Sequence, residues 1–260
     1  MKNKSVFFVS DLHLGAPNRE RSLERELKFI QWIDAHEDQM EALFIVGDLF
    51  DFWFEYKRAV PRGFVRTLGR LALLRDTGVP IHFFTGNHDM WVFDYLEDEI
   101  GMKIHRSPQL FHLQGKDLLV GHGDGLGPGD KGYKFIKKVF ANPFMQWFYA
   151  RIHPNTGIWL ADYFSRKSRA KTGEDDSIFT GNENEWLYQY ACEYQEKEKP
   201  VDYFIFGHRH LPLNITLPKQ GVYYNLGDWI RYYTYGVLEN GAFKLKYWKD
   251  DGSEQGFVSK

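Results

Sequence analysis

Short hydrophobic runs recur along the chain, and each leads within a residue or two into a side chain that can bind a metal ion. The runs lie at residues 6–9, 43–46, 81–84, 118–120 and 203–206. Their length and their content of Val, Ile and Phe predict buried β-strands. Because the ends of neighbouring strands meet at one edge of a sheet, the Asp, Asn and His residues that follow the runs are predicted to converge there.

The segments between the first three hydrophobic runs have apolar residues at helical spacing. One helix is predicted within residues 19–38, and a second is predicted after the second run, with its stop signal at Gly78 and Pro80. The residues expected to face the core are Leu23, Leu27, Ile30 and Ile33 in the first helix and Phe64, Leu68, Leu71 and Leu74 in the second. The alternation of strands and helices predicts a layered α/β fold.

The strand pattern stops after residue 120. Residues from about 124 to 186 predict a helical insertion, or cap, within a single domain that spans residues 1–260. Strands return at residues 222–226, 233–238 and 243–248, and a turn at residues 239–241 joins the last two. The last ten residues are expected to form a loose tail.

Composition narrows the class of protein. A formal net charge of -2 over 260 residues offers no overall attraction to nucleic acid or anionic lipid. The single cysteine, Cys192, excludes an internal disulfide and suits a reducing compartment such as the cytosol. Ser10 and Asp11 interrupt the first hydrophobic run too early for a signal peptide, and no run approaches the roughly 20 residues of a membrane-spanning helix.

The side chains that follow the strands form a donor set of carboxylate, amide and imidazole groups. Its members are Asp11, His13, Asp48, Asn87, His122, His208 and His210. Mixed oxygen and nitrogen ligands suit Mn, Fe or Zn better than Mg or Ca. Seven ligands are too many for one tetrahedral ion and suit two ions that share a bridge, for which the Asp48 carboxylate is the natural candidate. The glycines expected to let the backbone turn sharply beside these ligands are Gly47, Gly86, Gly121 and Gly207.

In their order and spacing, these residues resemble the calcineurin-like metallophosphoesterase superfamily. The motif blocks are Asp11-x-His13, Gly47-Asp48, Gly86-Asn87-His88-Asp89, Gly121-His122 and Gly207-His208-x-His210. The resemblance implies a sandwich of mixed β-sheets flanked by helices, and hydrolysis of phosphate esters or anhydrides. It also implies one metal site formed by Asp11, His13, Asp48 and His210 and a second formed by Asp48, Asn87, His122 and His208.

The chemistry of such a centre is consistent with these residues. Two cations about 3.5 to 4 Å apart can bind a phosphoryl group between them and generate hydroxide from water near neutral pH. His88 is expected to protonate the leaving oxygen or to stabilise the charge of the transition state, and Asp89 is expected to orient the His88 ring. A lone histidine is more often structural than catalytic, but the motif blocks together favour a metal centre.

The predicted insertion combines positive charge with large hydrophobic side chains. Residues 131–171 contain nine Lys and Arg residues and one acidic residue, Asp162. Aromatic and aliphatic residues lie between the charges, and part of this content is expected to pack between helices. The combination favours a surface or cleft for a ligand that is both anionic and lipidic, or contact with an anionic bilayer.

Further features are similar to the UDP-2,3-diacylglucosamine pyrophosphatases of lipid A synthesis. They are residues 10–14 and 47–51, residues 122–126 with Asp130 and Tyr133, and the insertion itself. The resemblance implies Mn²⁺-dependent cleavage of UDP-2,3-diacylglucosamine into UMP and 2,3-diacylglucosamine 1-phosphate. It places the acyl chains in the insertion and the protein at the cytoplasmic face of the inner membrane, as a peripheral protein. The substrate contacts it implies are Asn87, His88, Asp130, Tyr133, Arg166, Lys167, Arg169 and Lys171.

Two positions depart from that family, in which many members have Arg at the position of His88 and Thr at that of Arg209. A related dinuclear-metal phosphoesterase that acts on another lipid phosphate or a nucleotide is therefore an alternative. A nuclease would use the same centre but would not need the hydrophobic residues of the insertion, so no nucleic acid partner is expected. A non-catalytic scaffold would be expected to lose ligands, whereas every motif position is filled.

Overall fold

Two β-sheets packed face to face form the centre of the structure, a computed structural model that describes residues 4–129, 131–172, 178–249 and 251–257. For Asp162 and residues 166–172 only the backbone is described. Apolar side chains of both sheets fill the layer between them, among them Phe8, Phe44 and Tyr224. Helices pack on the outer face of each sheet, which confirms the predicted layered α/β fold.

The larger sheet joins a parallel half to an antiparallel half. The spatial order of its strands is β12 (Glu254–Gly256), β11 (Ala242–Trp248), β10 (Thr234–Glu239), β1 (Ser5–Val9), β2 (Met40–Val46), β3 (Ile81–Phe84) and β4 (Lys103–His105). Strands β1 to β4 are parallel, whereas β10, β11 and β12 continue the sheet in antiparallel order. The register pairs Val9 with Ile45 and Val46 with Phe84, so the loops that follow these three strands begin side by side.

The smaller sheet has a parallel centre and antiparallel edges. The spatial order of its strands is β5 (Gln109–Leu113), β6 (Lys116–Val120), β7 (Tyr203–Phe206), β9 (Val222–Leu226) and β8 (Pro212–Thr216). The register of the parallel strands pairs Val120 with Ile205. The loops after β6 and β7 therefore also begin side by side.

The predicted strands are confirmed, but the sequence pattern missed β4, β5, β8 and β12. The expected loose tail is wrong for residues 254–256, because they pair with β11 and Phe257 packs against the layer between the sheets. All four missed strands lie at an edge of a sheet or carry several exposed side chains. Such strands lack the continuous apolar run that marks a buried strand.

The first helix, α1 (Arg19–His36), is confirmed, but its predicted buried side is partly wrong. Leu27 is 44% exposed, whereas Phe29 and Trp32 are fully buried. The buried Arg25 donates to the carbonyl oxygens of Leu12 (2.8 Å), His13 (3.1 Å) and Ala16 (2.7 Å). The helix therefore turns a charged residue inward and fixes the loop that carries His13.

The second helix, α2 (Val65–Asp76), buries the predicted side: Leu71 and Leu74 are in the core, and Phe64 and Leu68 pack against it. The remaining helices are α3 (Tyr95–Ile100), α4 (Lys131–Phe140), α5 (Pro143–Tyr149), α6 (Pro154–Thr172) and α7 (Trp186–Lys197). Among the described residues, no helix has both the length and the apolar content to cross a bilayer.

Candidate metal centre

Strand ends from both sheets bring the predicted ligands together. Asp11, His13, Asp48 and Asn87 follow β1, β2 and β3 of the larger sheet, and His122, His208 and His210 follow β6 and β7 of the smaller sheet. Ligand atoms within 4.8 Å of one another define three clusters among the described residues. Two consist of predicted ligands, one of Asp11, His13 and His210 and one of Asp48, His122 and His208, and the third joins His13 to Asp51 and His88. Asn87 Oδ1 lies 3.2 Å from His122 Nε2 and so belongs beside the second cluster.

Asp48 lies between the two clusters. Its Oδ2 is 3.6 Å from His13 Nε2 on one side and 3.3 Å from His122 Nε2 on the other. Its Oδ1 accepts a hydrogen bond from the backbone N–H of His88 at 2.9 Å. The carboxylate thus has the central position that a bridging ligand would need.

The backbone at these residues is strained. The left-handed residues among the candidate ligands are Asp11 (φ 56°), His13 (φ 44°), Asp48 (φ 52°), His208 (φ 66°) and His210 (φ 51°). A non-glycine residue in this region costs about 1 kcal/mol or more, and such residues concentrate at functional sites. Hydrogen bonds between the loops hold the conformation, as from Asp11 N–H to the carbonyl of Gly47 (3.1 Å) and from His13 N–H to that of Asp48 (2.9 Å).

The neighbouring glycines have two different roles. Gly47 has φ 86°, so the expected sharp turn is present there. For Gly86 and Gly207 the constraint is space, because a Cβ at Gly86 would overlap the Asp48 carboxylate and a Cβ at Gly207 would overlap Ser10 and Asp11. A Cβ at Gly121 would come within 2.9 Å of Pro108. Close approach of the loops, more than backbone turning, explains these glycines.

One carboxylate oxygen shows that the donor set fits a cation. Asp11 Oδ1 is buried and has no hydrogen-bond partner among the described residues. The Nε2 atoms of His13 and His210 lie 3.7 and 3.3 Å from it and 3.1 Å from each other. The buried oxygen has no donor, and a divalent cation would be a partner for it and for both nitrogens.

Burial and the neighbouring charges act on the pKa values of the buried groups, often in opposite directions. Burial alone would raise the pKa of Asp11 and Asp48, but the surrounding histidines hold both pKa values below the ordinary one. Burial alone would lower the pKa of His122, but the Asp48 carboxylate outweighs it and raises this pKa to about 10. For His208 burial prevails and lowers the pKa to about 4. The anionic carboxylates are therefore present for a metal at neutral pH.

Outer contacts fix the orientation of the candidate ligands. Ser10 Oγ donates to Asp11 Oδ2 at 2.5 Å, and His122 Nδ1 donates to the carbonyl of Val46 at 2.8 Å. His210 Nδ1 lies 3.4 Å from Asp228 Oδ2. These contacts leave the Nε2 atoms of the histidines for a metal. No sequence signal identified Asp228, which lies beyond the motif blocks.

The expected contact between Asp89 and the His88 ring is wrong. The buried Asp89 carboxylate accepts hydrogen bonds from the backbone N–H of Gly86 (2.7 Å), Asp48 (3.4 Å) and Phe50 (3.4 Å). Burial, together with the Asp48 charge, raises the Asp89 pKa to about 7. Asp89 therefore supports the backbone of the two ligand-bearing loops, because buried N–H groups need acceptors.

Asp51 and Ser165 contact the His88 ring instead. His88 Nδ1 donates to the carbonyl of Asp51 at 2.9 Å and lies 3.2 Å from Ser165 Oγ. Ser165 Oγ in turn donates to Asp51 Oδ2 at 3.1 Å. Burial lowers the pKa of His88 to about 4, so the ring is neutral at pH 7 before an anion binds beside it.

Asp51 also contacts a candidate ligand directly, which gives a testable prediction. Its Oδ1 lies 3.4 Å from His13 Nδ1, the geometry of a carboxylate that orients a metal-binding histidine. Asp51→Asn is expected to weaken metal affinity roughly tenfold, measured by metal titration of the stripped protein. The exposed Asp76→Asn serves as the control, and unchanged affinity in Asp51→Asn would remove this role.

The predicted substrate residues are only partly described. Tyr133 Oη donates to Asp124 Oδ2 at 2.7 Å, and its ring centre is 6.4 Å from that of His208, so Tyr133 lies beside the centre. Asp130 lies outside the described residues, as do the side chains of Arg166, Lys167, Arg169 and Lys171. Ser165, next in sequence to that basic segment, reaches the His88 ring.

Arg209 has a structural environment although it lies between two candidate ligands. Its Nε donates to Glu185 Oε2 at 3.1 Å and its Nη2 donates to the carbonyl of Ile178 at 2.8 Å. Tyr223 Oη donates to the other Glu185 oxygen at 3.1 Å. This buried network attaches the loop of His208 and His210 to the segment that follows α6.

A two-sheet sandwich with clustered Asp and His residues at one edge defines a metal-dependent phosphoesterase. The family model described as calcineurin-like phosphoesterase matches residues 4–212. The chain therefore belongs to the calcineurin-like phosphoesterase family and is a metal-dependent hydrolase with clusters that can bind divalent cations.

Curated relatives extend the similarity over nearly the whole chain. A protein of Porphyromonas gingivalis named UDP-2,3-diacylglucosamine hydrolase is 38% identical over 263 aligned residues, which cover 96% of this chain and 99% of the relative. A protein of the same name from Histophilus somni is 30% identical over 249 residues, covering 92% of this chain and 97% of the relative. Among solved structures, a dimetal phosphatase from Danio rerio is 12% identical, with a TM-score of 0.47 and coverage of 97% of this chain and 95% of the other.

Proposed function

We propose that the protein hydrolyses the pyrophosphate bond of UDP-2,3-diacylglucosamine, giving UMP and 2,3-diacylglucosamine 1-phosphate for lipid A synthesis. The observation that carries the proposal is the similarity to named UDP-2,3-diacylglucosamine hydrolases over 96% of the chain. That span includes the helices α4 to α6 as well as the metal centre. Similarity confined to the motif blocks would support only a phosphoesterase.

Two divalent cations, with manganese preferred and iron or zinc as the other candidates, are proposed as cofactors. The first site would consist of Asp11, His13, Asp48 and His210, and the second of Asp48, Asn87, His122 and His208. When bound, such a pair neutralises phosphoryl charge and makes water more acidic.

The residues of the chain have distinct roles in this proposal. Asp48 lies between the two clusters and would contribute a ligand to both proposed metal sites. His88 Nδ1 donates to the carbonyl of Asp51, so Nε2 is the atom that would deliver a proton to a leaving oxygen, once a bound phosphate has favoured the protonated form of the ring. Asp89 holds the backbone under Asp48 and Asn87 rather than moving a proton. The proposed substrate contacts are Asn87, His88, Asp130, Tyr133, Arg166, Lys167, Arg169 and Lys171.

The helices α4, α5 and α6 of the proposed cap have large apolar side chains that are exposed to solvent. Phe135 on α4 is 67% exposed, Phe144 on α5 is 68% exposed and Trp159 on α6 is 64% exposed. Large exposed apolar patches on soluble proteins mark sites for ligands, partners or membranes. We assign these helices to the acyl chains of the substrate and to peripheral contact with the cytoplasmic face of the inner membrane.

The substrate assignment predicts a dependence on acyl-chain length. With UDP-2,3-diacylglucosamine of decreasing chain length, kcat/KM is expected to fall by up to about fourfold for each methylene removed, since a buried CH₂ contributes roughly 0.8 kcal/mol. Bis(p-nitrophenyl) phosphate, which has no acyl chain, is the control substrate. If kcat/KM did not change with chain length, the cap would have no role in recognising the substrate. Faster cleavage of single-stranded DNA than of UDP-2,3-diacylglucosamine would favour a nuclease.

A further inference from the structure

A cavity of about 450 Å³ lies directly beside the metal centre. His122 forms part of its wall, α4 forms one side, and the segment around Arg106, which joins β4 to β5, forms another. Its volume is in the range of cavities that bind small molecules. Among the described residues, Asn87, His88 and Tyr133 are the substrate contacts expected from the sequence, and of these Tyr133 donates to Asp124 in the cavity wall.

The lining of the cavity is cationic. The charged side chains of its lining, among the residues that the structure describes, are the cationic Arg106, Lys134, Lys137 and Lys138 and the carboxylate of Asp124. Asp124 is buried and accepts contacts from Lys137 Nζ (2.6 Å) and Tyr133 Oη (2.7 Å), so its charge is neutralised locally. The cavity therefore favours an anion in a chain whose formal net charge is -2.

The three lysines of α4 that line the cavity differ in their hydrogen bonds. Lys134 Nζ donates to the carbonyl of Gly127 at 2.5 Å, and Lys137 Nζ donates to that of Asp124 at 2.9 Å. These two residues hold α4 against the loop that follows His122. Lys138 on α4 and Arg106 on the facing segment are exposed residues of the cavity wall, and Arg106 Nη2 donates to the carbonyl of Phe93 at 3.3 Å. Either side chain could contact an anion in the cavity.

The metal centre has different surroundings at its two ends. At the His13 end, His88 contacts Ser165 on α6, the helix that carries the exposed Trp159. At the His122 end lies the cationic cavity. Asp48 separates the two ends, with His13 and His122 on either side of its Oδ2.

An acylated sugar nucleotide matches these three regions along its length. It has apolar chains at one end, a pyrophosphate in the middle and a polar nucleoside at the other end. We propose that the cavity binds the nucleoside monophosphate half of the substrate, while the acyl sugar lies toward α6. This assignment rests on the proposed function, and it makes Arg106 and Lys138 the residues that recognise the nucleotide half.

The test uses charge reversal at the two exposed cavity residues. The variants are Lys138→Glu and Arg106→Glu, with Lys219→Glu, an exposed lysine that does not line the cavity, as the matched control. For each variant, inhibition by UMP and by inorganic phosphate is measured during hydrolysis of bis(p-nitrophenyl) phosphate, and KM is measured with UDP-2,3-diacylglucosamine. The kcat for the small diester, which has no nucleoside, is measured for each variant as a separate report on the metal centre.

The two cavity variants are expected to raise the UMP inhibition constant and the KM about tenfold, the scale of a lost charge-assisted hydrogen bond. The control is expected to change neither. An unchanged UMP inhibition constant in both cavity variants would overturn the assignment. Wild-type protein that binds UMP no more tightly than inorganic phosphate would also overturn it, since only an anion would then be recognised.

A different set of results is expected if the proposed function is wrong but the cavity still binds a nucleotide. Wild-type protein would then hydrolyse the small diester but not UDP-2,3-diacylglucosamine, while the UMP inhibition constants would still report on the cavity. UMP inhibition that weakens in Lys138→Glu would in that case keep the nucleotide site and reject only the acylated substrate.

Discussion

Asp48→Ala is expected to abolish turnover, with a loss in kcat/KM of at least about 10³-fold, and to leave the protein with little bound metal. The reason is geometric, because Asp48 Oδ2 lies within 3.6 Å of His13 Nε2 and 3.3 Å of His122 Nε2. Removal of this carboxylate takes a ligand atom from both halves of the centre at once. It also leaves the backbone N–H of His88 without its acceptor.

Metal content by elemental analysis and activity on bis(p-nitrophenyl) phosphate measure this effect. Asp76→Ala, which removes an exposed carboxylate at the end of α2, is the matched control and should retain both metal and activity. Full metal content in Asp48→Ala would show that the carboxylate does not link the two clusters.

His88→Ala is expected to slow the chemical step by ~10²-fold, or about 2.7 kcal/mol in activation free energy, while metal content stays near that of wild type. The ring contacts Asp51 and Ser165 and is not one of the ligands of the two proposed metal sites, although it lies in a third cluster with His13 and Asp51. Burial lowers the His88 pKa to about 4, so the free ring is neutral at pH 7, and a bound phosphate would favour its protonated form.

Single-turnover kinetics together with elemental analysis separate these effects. His112→Ala, which removes an exposed histidine paired with Asp117, is the control. Metal loss as large as in Asp48→Ala would contradict a separate role for His88 in chemistry. A loss of activity that appears only in KM would assign the ring to substrate binding.

The hydrophobic pattern predicted the strands that carry the centre because those strands are buried on both faces. Residues 6–9 and 203–206 are continuous apolar runs, and each ends where the chain must turn at the sheet edge. The edge strands β5 and β12 have mostly exposed side chains and carry no such signal. The buried side of α1 was missed because apolar spacing does not register Arg25, which is buried for its hydrogen bonds.

The convergence of the candidate ligands could be predicted, but their supporting contacts could not. Each ligand follows a strand whose register is set by its neighbours, so its position follows from the fold. Asp89 was assigned to the His88 ring by adjacency in sequence, whereas its carboxylate satisfies buried backbone N–H groups. Asp51 and Ser165 meet only because α6 returns to the loop after β2, a contact across 114 residues that no local pattern encodes.

Each of the two proposed metal sites takes ligands from both sheets. His210 of the smaller sheet meets Asp11 of the larger one, and His122 meets Asp48 in the same way. Bound cations would therefore act as cross-links between the halves of the sandwich. Phe8 and Tyr224 lie between the sheets, so a change in their side-chain volume would alter the separation of the sheets. The distances between the ligand atoms of both sites would change with it. Residues remote from the chemistry would thus tune metal affinity, and chelation is expected to lower the resistance of the whole sandwich to heat.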